Sequence, residues 1–128
     1  MNTINLQYEA KRIINELGLL KLIESTFPNY IFIGSYANQT MVWPDIDICI
    51  SLSQNAKTDF NRLVYEILNL DNIYKLVYKN EFMEINESKS AYYIGVHYYD
   101  KRRDMRWKID IKGVEEGKFE SIKVSQKQ

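Results

Sequence analysis

An α+β fold is predicted, a mixed β-sheet with helices packed on one face, from three observations. Two amphipathic helical stripes separate strand-like runs, several strands alternate strictly between apolar and polar residues, and a charged turn joins the last two. Alternation gives each strand one apolar side for the helices and one polar side for an open cleft. Leu6, Ala10, Ile13, Ile14, Leu17 and Leu20 recur at three- and four-residue steps, which predicts a helix running to about Glu24 before Pro28 forces an extended chain. Ile31-Phe32-Ile33 then reads as a short buried strand ended by a turn at Gly34-Ser35, where the backbone can approach a ligand closely. After the loop Tyr36 to Pro44, the segment Asp45 to Leu52 points Ile46, Ile48, Ile50 and Leu52 one way and Asp45, Asp47, Cys49 and Ser51 the other. The stripe Phe60, Leu63, Val64, Ile67 and Leu68 marks a second helix from about Ala56 to Leu70. Strands are expected over Tyr74 to Tyr78, Ala91 to Tyr99 and Met105 to Lys112, the last two forming an antiparallel hairpin around Asp100-Lys101-Arg102-Arg103-Asp104.

At 128 residues the chain reads as a single domain, 1–128, able to bury about two-thirds of the surface its unfolded form exposes. The segment 113–128 loses clear periodicity and is expected to be a loosely docked tail, with Phe119, Ile122 and Val124 available to dock. Seventeen basic and seventeen acidic side chains give a formal net charge of +0, so no global field draws the chain to nucleic acid or to an anionic membrane. Strong nonspecific nucleic-acid binding is therefore not expected. The single cysteine, Cys49, cannot form an internal disulfide, and no run of apolar residues is long enough to span a membrane. A cytoplasmic protein is the expectation.

Asp45 and Asp47 share the polar side of one strand, and Asp110 projects from the polar side of another, with Arg106, Lys108 and Lys112 in the same parity. Adjacent carboxylates repel and raise each other's proton affinity unless a cation sits between them, and hard oxygen ligands suit Mg²⁺ bound together with substrate phosphates. If the two strands are neighbours, three carboxylates converge beside basic groups able to meet a triphosphate.

These residues resemble the DNA polymerase beta-like nucleotidyltransferases, whose pattern is a hydrophobic residue, Gly-Ser, roughly ten residues, Asp-hydrophobic-Asp, and a third Asp on a later strand. Here it reads Ile33-Gly34-Ser35, Asp45-Ile46-Asp47-Ile48 and Ile109-Asp110-Ile111. Within the superfamily the chain looks like the minimal and antibiotic-modifying members, although Asn38 stands where many minimal members carry an Arg. The resemblance implies a nucleotidyltransferase-like fold, an NTP donor such as ATP, and a two-metal Mg²⁺ site at Asp45, Asp47 and Asp110. Gly34 and Ser35 would hold phosphates, and Asp110 would serve as metal ligand or as base toward the incoming hydroxyl. A small molecule or a protein is the implied acceptor, with the cleft completed by a homodimer, a separate partner chain or a longer parent chain. A competing reading is a noncatalytic, antitoxin-like protein that uses the fold to bind a partner protein. A weaker one is a phosphoester hydrolase with the same metal site.

Other residues carry plainer readings. His97 lies among tyrosines on a face that hairpin register decides, and a packed or surface role is expected for it. The ten tyrosines suit strands intrinsically. Trp43-Pro44 is expected to stiffen the loop before the first Asp.

Overall fold

A computed structural model describes residues 4–80 and 92–126. The chain runs α1 (Leu6–Leu17), α2 (Leu19–Thr26), β1 (Tyr30–Ile33), α3 (Gly34–Asn38), β2 (Asp45–Ser51), α4 (Ala56–Leu68), β3 (Ile73–Asn80), β4 (Tyr92–Asp100), β5 (Met105–Val114) and α5 (Glu116–Gln126). The strands form one mixed sheet in the order β1-β2-β5-β4-β3. β2 and β5 pair in parallel, while β1 with β2, β5 with β4, and β4 with β3 pair antiparallel.

The single first helix expected from periodicity is two helices. Asn5 caps α1 by accepting from the Tyr8 amide at 3.0 Å, and Gly18 at φ +80° ends α1 and opens α2. A Cβ at Gly18 would meet nothing within 4 Å, so its left-handed backbone, rather than crowding, calls for glycine there. The apolar stripe continues across the break because both helices face the same sheet.

Strict alternation delivers the core. Ile46, Ile48 and Ile50 of β2, Trp107, Ile109 and Ile111 of β5, and Ile94 and Val96 of β4 are buried against Ala10, Ile13 and Leu17 of α1, Ile23 of α2, and Phe60, Leu63 and Ile67 of α4. The β4–β5 hairpin forms around the charged turn, with Asp100 opposite Met105. Of the segment 113–128, expected as a loose tail, the described residues 113–126 supply the end of β5 and then α5. Phe119 is buried in a small second cluster with Cys49 and Val114, joined by Ile31, Ile33 and Ile122. That cluster caps a corner of the sheet's other, polar face. Val124 stays exposed.

One end of the hairpin is tied down by charge. Glu9 and Asp100 are buried, and the partly buried Arg12 bridges Glu9 at 2.8 Å, Glu16 at 2.9 Å and Asp100. Arg103 reaches Glu9 at 3.0 Å.

Candidate active site

The site lies on the polar face of the sheet, where β1, β2 and β5 meet. Parallel pairing sets Asp47 of β2 directly opposite Asp110 of β5, and Asp45 opposite Lys108. Alternation on both strands sends these side chains to one face, so residues far apart in sequence become neighbours.

Gly34 joins them from β1. Ile33 pairs with Asp47, and at Gly34 the backbone turns into α3 with φ +74°. A Cβ there would lie 2.6 Å from Asp47 Oδ2, so both the left-handed conformation and the close approach require glycine. The expected Gly34-Ser35 turn is thus the first turn of a short helix pressed against Asp47. Thr40 donates its amide to Ser35 O at 2.9 Å, and Gln7 Nε2 donates to Tyr36 O at 2.8 Å, tying α1 to this helix.

Ahead of β2, the Lys108 amide donates to Pro44 O at 3.1 Å and the Asp45 amide to Trp43 O at 2.8 Å. The loop is fixed where Trp43-Pro44 enters the strand, while the Trp43 ring is 69% exposed beside the site.

The electrostatics follow from this packing. Burial pushes the Asp47 carboxyl above its ordinary value, Asp110 and Asp45 push it further, and Lys112 opposes them. Lys108 Nζ stands 3.8 Å from Asp110 Oδ1, and the Tyr93 hydroxyl donates to the same oxygen. Cys49, two residues beyond Asp47 on the same side, is buried beneath α5 and its thiol is pushed up to about 11, chiefly by desolvation. It packs, as expected. Hairpin register puts His97 opposite Lys108 on the open face. Burial and then Lys75 and Lys108 hold its pKa down, and Tyr74 lies edge-on at 5.8 Å.

The sequence-predicted residues are therefore brought together unequally. Gly34, Asp47 and Asp110 converge, and Ser35 follows in the same helix. Asp45 lies on the same face, one side-chain step along the strand and level with Lys108. Among the described residues, no three carboxylate, imidazole or thiol groups are drawn into a single cation-holding cluster. Tyr93 and Gly95 were not anticipated at the site, because only the β4–β5 register places them next to Asp110.

No protein-family model and no curated protein matches the chain. Two solved structures share its fold. One is a poly(A) polymerase complex, GLD-2–GLD-3, at TM-score 0.60 and 14% identity over 88% of this chain and 35% of that one. The other is the Cid1 poly(U) polymerase with Mg and 3′-dATP bound, at TM-score 0.54 and 14% identity over 93% of this chain and 35% of that one. The chain thus spans about a third of the length of either polymerase. No helix among the described residues is long and apolar enough to cross a membrane. By its five-stranded mixed sheet and its helices, the chain has an α+β, nucleotidyltransferase-like fold shared with these two polymerase structures.

Proposed function

We propose that this domain is a metal-dependent nucleotidyltransferase that moves a nucleoside monophosphate from an NTP to an acceptor hydroxyl on a small molecule or protein and releases pyrophosphate. The observation that carries this reading is the register of Asp47 against Asp110 with Gly34 packed on Asp47. The donor set fits a divalent cation, since burial and then Asp110 and Asp45 make Asp47 hard to ionise, and added positive charge would relieve it. Asp47 and Asp110, with Asp45 alongside, would hold Mg²⁺, which when bound neutralises the triphosphate and stabilises the entering and leaving oxygens.

The chain's own groups account for the rest. Backbone amides at Gly34 and Ser35, with the Ser35 hydroxyl, orient the β- and γ-phosphates, so less freedom is lost at the moment of attack. Lys108 and Lys112 add positive charge on the same face. The acceptor oxygen forms a bond to the α-phosphorus as the bond to the bridging oxygen breaks. The hydroxyl proton passes to the Asp110 carboxylate when that group serves as base, or to solvent when it serves as metal ligand, and pyrophosphate departs.

Calorimetric titration with ATP, GTP, CTP and UTP, each with and without Mg²⁺, tests this. The expected result is Mg²⁺-dependent binding of at least one nucleotide, lost in the Asp45→Asn/Asp47→Asn double variant with the fold retained. Full transfer activity in that variant would overturn the mechanism. Failure to bind any nucleotide, with co-purification of a stoichiometric protein, would favour the partner-binding reading.

A further inference from the structure

We propose that Tyr93 is a positioning residue for Asp110 and that Gly95 provides the space through which it acts. The inference rests on the nucleotidyltransferase reading of the site. On the open face, β4 sets Gly95 directly opposite Asp110 and Tyr93 opposite Lys112. A side chain at position 95 would occupy the ground next to Asp110. Glycine leaves that ground empty, and the Tyr93 phenol lies across it to donate its hydroxyl to Asp110 Oδ1. A Cβ at Gly95 would lie 2.6 Å from Tyr93 Oη and 3.2 Å from its Cζ, so even alanine displaces the ring. From β3, where Lys79 pairs with Tyr93, the Lys79 ammonium stands 5.9 Å from the ring centroid.

The consequence for Asp110 is a divided carboxylate. Oδ1 is engaged by Tyr93 and faced by Lys108 at 3.8 Å, which assigns Oδ2 to a cation or to the acceptor's proton. A ligating carboxylate held by an outer hydrogen bond loses less rotational freedom on binding, and removing such a partner typically weakens metal affinity about 10–100-fold. A merely structural phenol–carboxylate bond also exists in this chain, where Tyr99 donates to Asp104 at 2.5 Å in the exposed hairpin turn. It provides the control.

The test is Mn²⁺ binding without substrate, read from the electron paramagnetic resonance signal of the free ion. It compares the unaltered protein with Tyr93→Phe, Gly95→Ala and Tyr99→Phe, and circular dichroism monitors each fold. The expected result is a dissociation constant raised about 10-fold or more in Tyr93→Phe and Gly95→Ala, and unchanged in Tyr99→Phe. Tyr93→Phe binding Mn²⁺ as tightly as the unaltered protein overturns the proposal and leaves the nucleotidyltransferase reading standing. Gly95→Ala binding normally overturns the part assigned to Gly95, and if that variant fails to fold, Tyr93→Phe, which keeps the ring, decides alone. Equal weakening in Tyr99→Phe also overturns the proposal, since the effect would then be general. An unaltered protein that binds no Mn²⁺ without substrate overturns the proposal, and the nucleotide titration alone then decides the nucleotidyltransferase reading.

Discussion

Asp47 is placed where ionising is costly. Burial first, then Asp110 and Asp45, lift its proton affinity above the ordinary 3.8, with Lys112 in partial opposition. A carboxyl whose folded-state pKa is raised favours the fold below its unfolded pKa, and that advantage is lost as pH rises through the folded value. Near neutral pH the ionised Asp47 therefore lowers stability. Asp47→Asn is expected to raise the melting temperature at neutral pH while weakening nucleotide binding, with a gain that shrinks as the pH falls toward about 4. Thermal melts across that range check it, and a lower melting temperature at neutral pH would contradict it. Gly34 is the complementary case, since its left-handed backbone and its approach to Asp47 both exclude a Cβ. Gly34→Ala should cost about 1–2 kcal/mol from backbone conformation alone, and more from the contact with Asp47. Urea unfolding measures that loss, and an alanine variant as stable as the parent would show that the turn can relax.

Among the elements, the join of α1 to the β4–β5 hairpin is the most exposed to change in charge. The Arg12 hydrogen bond, despite the opposing effect of burial and with help from Arg103, holds Glu9 below its ordinary 4.5. A depressed carboxyl contributes stability that is full above its unfolded pKa and is lost as pH falls through the folded value. Stability should thus hold above about pH 4.5 and decline in more acidic solution for this pair. Arg12→Leu leaves Glu9 and Asp100 buried without their shared cation and should cost about 3–5 kcal/mol. Urea midpoints as a function of pH, for both proteins, test the two statements together. A variant that keeps the parent's stability would show that Arg103 suffices to hold the hairpin.

For the molecule as a whole, the parts legible in the sequence were those with a repeating signal. Alternation in Asp45 to Leu52 and Met105 to Lys112 gave both the core isoleucines and the shared face of Asp45, Asp47 and Asp110, and the charged turn gave the hairpin. Less regular parts were harder to read. The Gly18 break sits inside an unbroken apolar stripe, so periodicity passes over it. The helix α5 buries little beyond Phe119, too few positions to set a period. Tyr93 and Gly95 reach the site through pairing register, which a strand rich in tyrosine on both faces does not announce. Register also governs the open face. A shift at Ile73/Lys75 in β3 accompanies Tyr74 beside His97 and Arg106, so aromatic and basic groups stand together despite the zero net charge.

The β2–β5 pairing has a kinetic side. It is the sheet's single parallel contact among the described strands, and it joins the first half of the chain to the last, whereas its neighbours are antiparallel. Non-local pairings of this kind are slow to form because loop closure must precede any stabilising contact. Asp47 and Asp110 meet only through that pairing, so a chain in which the hairpin alone has formed holds no site. During refolding, the ability to bind nucleotide should appear at the same rate as the complete sheet, never ahead of it.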